Sequence, residues 1–186
     1  MSDKFNNIYK IETTRLKAWD YTKHGKYFVT ICIHRREEFF GEIIDKKMFL
    51  SDIGKIADVE LQETEKIRKN IKLDKYVIMP NHIHGIVMIN KNDNMIRANS
   101  HSPLQRMKPK SISSFIAGYK SVVTKRINQT RNTHRQLVWQ RNYYEHIIRD
   151  EKDLNRIREY IVNNPVKWEE DEYYKDEIAS GFHPSQ

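Results

Sequence analysis

Tyr76-Val77-Ile78-Met79-Pro80-Asn81-His82-Ile83-His84-Gly85-Ile86-Val87 is apolar on both sides of a Pro-Asn pair, so it reads as two strand pieces joined by a turn, within a longer stretch from Leu73 to Ile89. Residues two apart in a strand project to the same face. His82 and His84 therefore stand side by side, while Ile83 turns into the core. Two imidazoles at that spacing can grip one divalent metal, and Gly85 is expected to leave room beside them. Two surface histidines on a sheet by chance would give the same letters, but an otherwise apolar strand rarely presents two imidazoles to one side without use. No cysteine is near, which argues against a structural zinc site.

Outward from that stretch the pattern alternates strands and helices. Tyr27 to Ile33 is rich in β-branched and aromatic residues and predicts a strand. Phe39-Phe40-Gly41-Glu42-Ile43-Ile44 and Met48-Phe49-Leu50 predict short strands after a charged turn at Arg35-Arg36-Glu37-Glu38. Ser51 reads as an N-cap for a helix from Ile53 to Ile67. Residues 90–110 are polar, with two prolines, and predict a long basic loop. Ser111 starts a second helix, with Ile112, Phe115, Ile116, Tyr119, Val122, Val123 and Ile127 at helical spacing. Leu137-Val138-Trp139 looks extended, and Tyr143 to Arg149 reads as a further strand. Asp150 caps a last helix that Pro165 stops, and the tail from Glu169 is acidic, then polar. The order predicts an α+β domain, an antiparallel sheet with helices packed on one face.

The last helix carries a second candidate group. Tyr160 and Asn164 are i and i+4, so they share a helix face, while Ile157 and Ile161 bury the neighbouring one. Tyr160 can act as a nucleophile on a metal-held phosphate, and Asn164 can offer its amide oxygen as a third ligand. A core tyrosine followed by an Asn-Pro helix stop is the plainer alternative. Trp139-Gln140-Arg141-Asn142-Tyr143-Tyr144-Glu145-His146 is dense in side chains that stack on bases or meet phosphate, though a packed Trp and a wet sheet face would also produce it.

The totals bound the function. The 186 residues suffice for one domain with a real core. The hydrophobic fraction of 38%, with 10 Tyr, 7 Phe and 3 Trp, argues against a disordered chain. A net charge of +8 draws the chain to polyanions, of which nucleic acid is the commonest. The single cysteine, Cys32, excludes an intramolecular disulfide, points to the cytosol and reads as a strand packing residue. Met1-Ser2-Asp3-Lys4 lacks the apolar core of a signal peptide, and no run approaches the ~20 apolar residues of a membrane span.

Together, Val77 to Ile86, then Trp139-Gln140 with Tyr144-Glu145-His146-Ile147-Ile148-Arg149, then Tyr160-Ile161 with Asn164-Pro165-Val166 resemble the REP-associated tyrosine transposases, a branch of the HUH class of single-stranded-DNA transposases. Tyr27-Phe28-Val29-Thr30-Ile31 and the piece from Phe115 to Thr124 also match, so the resemblance covers residues 15–168 within a single domain of 1–186. It implies a ferredoxin-like core of the HUH endonuclease type. It implies Mg²⁺ or Mn²⁺ on His82 and His84, with Asn164 as third ligand. Tyr160 is the implied nucleophile, cutting and rejoining single-stranded or hairpin DNA through a 5′-phosphotyrosine. Tyr143 and Tyr144 precede the last helix and do not stand where the family places its nucleophile. Glu145 and His146 are candidates for active-site support, His146 as a base. Lys108, Lys110, Lys120, Lys125, Arg126, Arg141 and Arg149 are candidate backbone contacts. A monomer is implied, with a dimer as the alternative, in the cytoplasm of a prokaryote near the nucleoid. The acidic residues after Trp168 have no counterpart in the family and receive no role.

Three other readings use the same residues. Another HUH nickase would ordinarily be a larger chain. A non-catalytic DNA- or RNA-binding module needs none of His82, His84 and Tyr160. A hydrolase using water would form no covalent adduct and would keep its activity in Tyr160→Phe.

Overall fold

Gly25–Cys32 contains Tyr27, Phe28, Val29, Thr30, Ile31 and Cys32 in an unbroken run, and all of these are buried. A strand covered on both faces belongs in the middle of a sheet. In the computed structural model, which describes residues 24–90, 110–171 and 173 together with β1 (Lys4–Phe5) and β2 (Ile8–Tyr9), this strand is β3 and holds that position. The hairpin β4 (Gly41–Ile44) and β5 (Lys47–Leu50) follows, then α1 (Asp52–Ile67), β6 (Ile71–Ile78), β7 (His82–Ile89), α2 (Ile112–Thr130), β8 (Tyr144–Ile148) and α3 (Glu151–Asn163). The main sheet has four strands in the order β6-β7-β3-β8, and every neighbouring pair is antiparallel. Leaving out the β4–β5 hairpin, the run from β3 to β8 is βαββαβ, the ferredoxin-like order.

All three expected helix starts are capped as the sequence predicts. Ser51 Oγ accepts from the Gly54 amide at 3.1 Å, Ser111 Oγ from the Ser114 amide at 3.2 Å, and Asp150 Oδ1 from the Asp153 amide at 2.8 Å. Each cap satisfies one of the amide donors that a helix start leaves without a partner.

The α+β class and the antiparallel sheet are as expected, but the helices are not all on one face. Alternation along β3 separates two apolar clusters. Tyr27, Val29 and Ile31 pack with Ala57 and Leu61 of α1 and with Phe115, Tyr119 and Val123 of α2. Phe28, Ile86 and Ile148 pack with Leu154, Ile157 and Ile161 of α3. Burying each of those α3 side chains is worth about 1.5–3 kcal/mol, enough to fix the helix against the sheet. The βαβ crossovers put α1 and α2 on one side, whereas α3 follows the edge strand β8 through a short turn and folds under the other. The face between β7, β3 and α3 is where the paired histidines open.

Two smaller expectations change. Leu137-Val138-Trp139 makes only the isolated bridge Ile33–Trp139. Gly85 faces away from the histidines, and a Cβ there would meet the Tyr76 Cβ at 3.3 Å. Its small size serves the pairing of β6 with β7, not the room beside the imidazoles. The segment expected as a loop at 90–110 lies mostly outside the described residues, as do the N-terminal Trp19-Asp20-Tyr21 and the tail beyond residue 173.

Candidate active site

The turn between β6 and β7 is pinned at two points. The Met79 amide donates to the His82 carbonyl at 2.9 Å, and the Phe40 amide donates to the Pro80 carbonyl at 3.0 Å. His82 therefore opens β7 at a defined place, opposite Cys32, with His84 opposite Thr30. The two rings share one face with centroids 4.4 Å apart, as the alternation predicts.

Hydrogen bonds settle which nitrogen His82 offers and place a hydroxyl at each nitrogen of His84. Asn81 Nδ2 donates to the Tyr173 carbonyl at 2.8 Å, so Asn81 Oδ1 is left as an acceptor toward His82 Nδ1, also at 2.8 Å. An acceptor there requires the proton on Nδ1, and Nε2 of His82 then carries a lone pair. That nitrogen is buried and has no hydrogen-bond partner. His84 Nδ1 lies 2.9 Å from Thr30 Oγ1, and its Nε2 lies 3.1 Å from the Tyr160 hydroxyl. Each ring is thus held through Nδ1, the usual way a metal-binding histidine is oriented.

Burial keeps both rings neutral. It lowers the pKa of His84 from 6.5 to about 3. His82 is lowered well below 6.5, first by burial and then by the charges of His84 and Arg36. A neutral imidazole is the form that ligates a metal, so no proton must be displaced.

α3 brings the tyrosine. Leu154, Ile157 and Ile161 face the sheet, which leaves Tyr160 at the rim, 42% exposed, with its ring 5.2 Å from that of His84. Phe28 stands beneath, stacked on His84 at 5.3 Å and edge-on to Tyr160 at 6.0 Å. One turn on, Asn164 is buried. Its Nδ2 donates to Asp171 Oδ2 at 2.9 Å, and its Oδ1 has no partner. A buried amide oxygen without a partner costs roughly 1–3 kcal/mol. A divalent cation accepting that lone pair together with that of His82 would relieve both. The donor set of imidazole nitrogen and amide oxygen suits such an ion. An open cavity of about 540 Å³ runs past Tyr160 and Asn164 and is edged by Arg156 and Lys167.

The structure brings His82, His84, Tyr160 and Asn164 together. It places other expected residues elsewhere. Glu145 is buried on the face of α1 and α2, paired across with Val29. His146 shares the face of α3, but its Nε2 meets Asp153 Oδ2 at 2.7 Å. Trp139 packs between Phe40 and Tyr119, and Tyr143 packs against the same cluster, so neither is a free stacking platform. Tyr144 is on the site's side, half exposed and edge-on to Phe28. Lys120 donates to the carbonyls of Gln140 and Asn142 at 2.9 and 3.0 Å, and burial lowers its pKa to about 8. Arg126 is paired with Glu60. Lys120 is a part-buried brace and Arg126 half of a surface ion pair, both on α2, across the sheet from the histidines. Lys110, Lys125, Arg141 and Arg149 are exposed, and Lys108 lies outside the described residues.

Sequence reasoning missed Asn81 and Thr30, which orient the histidines, and Asp171, whose carboxylate gathers with His82 and His84 to within 4.8 Å. It also missed Tyr173, whose ring lies 4.5 Å from that of His82, and Arg36, whose guanidinium lies 5.0 Å over the Tyr173 ring. Asn81 adjoining the His-x-His stretch is a signal that was available. The others are brought in by chain folding alone.

Residues 100–164 match the family described as Transposase IS200 like. A Haemophilus influenzae protein named as a REP-associated tyrosine transposase is 32% identical over 169 residues, 88% of this chain and 83% of that protein. The chain belongs to the REP-associated tyrosine transposases. An uncharacterized protein of the same organism is 38% identical over 185 residues, 95% of this chain and all of that one. The structure of a REP-associated tyrosine transposase bound to a REP hairpin has a TM-score of 0.53 at 18% identity, over 83% of this chain and 74% of the other, a likeness of fold. Among the described residues of this transposase, no helix is long and apolar enough to cross a membrane.

Proposed function

We propose that this transposase cleaves and rejoins single-stranded DNA at a hairpin, with Tyr160 as nucleophile and a divalent cation, Mg²⁺ or Mn²⁺, held by His82, His84 and Asn164. The observation that carries the reading is the 3.1 Å approach of the Tyr160 hydroxyl to His84 Nε2, beside the buried lone pair of His82 Nε2. A binding module would have no use for a half-exposed tyrosine at two neutral, pre-oriented imidazoles. When bound, the cation supplies charge neutralisation at the phosphate oxygens.

The chain's own residues do the rest. Tyr160 Oη attacks phosphorus and forms the Tyr–O–P bond while the P–O3′ bond breaks. The phenolic proton passes to solvent and the departing oxygen takes one up, leaving a 5′-phosphotyrosine and a 3′-OH. Attack by a 3′-OH reverses the step and needs no ATP. Phe28 and His84 hold the Tyr160 ring at the rim, and the cavity edged by Arg156 and Lys167 admits the strand. Lys110, Lys125, Arg141 and Arg149 are backbone contacts in this reading. Hairpin DNA is the substrate by analogy with the hairpin-bound relative. Nucleophile and histidines meet within one chain, which supports a monomer as the working form.

A covalent trapping experiment tests this. The protein and Tyr160→Phe are incubated with labelled single-stranded hairpin DNA and Mn²⁺ and run on a denaturing gel. A shifted band that disappears with chelator and in Tyr160→Phe is expected. Persistence of the band in that variant would move the nucleophile to Tyr144, and cleavage without any band would indicate attack by water.

A further inference from the structure

The segment after α3 does more than leave the helix. Asn163 and Asn164 accept backbone hydrogen bonds from Lys167, and the short helix Trp168–Glu170 then turns the chain back over the histidines. Trp168 is buried, with its ring 6.0 Å from that of His82. The turn delivers Asp171. Its Oδ1 accepts from the Tyr173 amide at 2.8 Å, and its Oδ2 accepts from Asn164 Nδ2 at 2.9 Å. A carboxylate has about four lone-pair sites, so two remain after these bonds. Its oxygen stands within 4.8 Å of a ring nitrogen of each histidine.

We propose that Asp171 is a direct ligand of the cation in this transposase, an anionic donor added to His82, His84 and Asn164. The proposal rests on the metal reading above and extends it. Three observations support it. His82 Nε2 and Asn164 Oδ1 are buried polar atoms with no partner. The Asn164 amide is oriented by the very carboxylate in question: its Nδ2 faces Asp171, which leaves Oδ1 as the end without a partner. Arg36, whose guanidinium lies 5.0 Å over the Tyr173 ring, puts a positive charge beside the segment that carries the Asp171 carboxylate. Hard divalent cations favour carboxylate oxygen over neutral donors. Asp171 therefore strengthens the hold on Mg²⁺ or Mn²⁺ and lowers the net charge of the loaded site by one. It also ties the segment around Trp168 and Tyr173 to the metal, so loading should order that segment.

The test measures the metal itself. Mn²⁺ affinity is determined by calorimetry for the whole protein, Asp171→Asn, Glu169→Gln and His82→Ala, with apo melting curves confirming that each variant folds. Asp171→Asn, which can still accept from Asn164, is expected to weaken Mn²⁺ binding ~10–100-fold, and Glu169→Gln to leave it unchanged. Co²⁺ bound to Asp171→Cys should show a thiolate-to-cobalt charge-transfer band that the natural protein lacks. Mn²⁺ binding by Asp171→Asn as tight as in the natural protein would overturn the proposal. So would weakened binding with no charge-transfer band, because Asp171 would then act only by holding Asn164. If His82→Ala also binds Mn²⁺ as before, or if the natural protein binds none, the metal reading itself fails.

Discussion

The hydroxyl of Tyr160 and Nε2 of His84 are 3.1 Å apart, and in the proposed site that nitrogen would also be the one His84 offers to a metal. Because His84 Nδ1 is committed to Thr30, the two uses of Nε2 compete. In the proposed mechanism, loading the cation would release Tyr160 from its hydrogen bond and free it to move onto a phosphate. Removing the hydroxyl should therefore strengthen metal binding while abolishing the covalent adduct. A net hydrogen bond of ~0.5–1.5 kcal/mol corresponds to Tyr160→Phe binding Mn²⁺ roughly 2–10-fold more tightly. Calorimetric titration of both proteins checks this, and weaker binding by the variant would show that the contact supports the metal.

Thr30 and Asn81 touch neither Tyr160 nor the cation in the proposed arrangement, yet Asn81 fixes the tautomer of His82 and Thr30 holds the His84 ring through Nδ1. Thr30→Val keeps the shape of a buried β-strand residue and removes the hydroxyl. It should lower Mn²⁺ affinity by about 10-fold or more while the apo protein keeps its fold. Affinity equal to that of the natural protein would mean that packing against Phe28 suffices to orient His84.

The buried histidines should make the apo protein acid-sensitive. The folded pKa of His84 is about 3 against an ordinary value of 6.5, and His82 is shifted the same way. Between those values the unfolded chain binds protons that the folded chain does not, so stability falls as pH drops through that window. The slope is ~1.4 kcal/mol per pH unit for each group, and above 6.5 these groups add no pH dependence. Urea unfolding at pH 7.5, 6 and 5 measures it. A flat profile would show that water reaches the rings.

Lys120 and Lys125 should separate cleanly in experiment. Lys120→Met leaves two carbonyls without their charged donor and should cost ~1–3 kcal/mol of stability, with DNA affinity of the folded fraction unchanged. Lys125→Ala should leave stability alone, weaken hairpin binding and reduce the slope of log affinity against log salt by about one. Filter binding across a salt series distinguishes the two, and equal effects on binding would return Lys120 to the DNA surface.

These contrasts show what was legible in the sequence. His82 and His84 could be paired because a strand has a period of two. Tyr160 and Asn164 could be joined because a helix brings i and i+4 together. Ser51, Ser111 and Asp150 announced their helices by local chemistry. Each of these needs only a few neighbouring residues. The side of the sheet that α3 would take depended on the path after β8, which no periodicity encodes. Lys120 and Arg126 look like any other cations until Gln140, Asn142 and Glu60 come to meet them. Asp171 was one carboxylate in an acidic tail, and only the turn at Trp168 distinguishes it from Glu169 and Glu170.

The docking of α3 has a consequence for the growing polypeptide. Its seat is formed by Phe28, Ile86 and Ile148, from three strands, and the last of these is added at the edge immediately before the helix itself. A nascent chain emerging from the ribosome thus displays its histidines long before it has a tyrosine to set against them. In the proposed mechanism, a product of interrupted translation that ends before α3 would lack the nucleophile and break no strand. Competence to cut would then arrive only once α3 has docked.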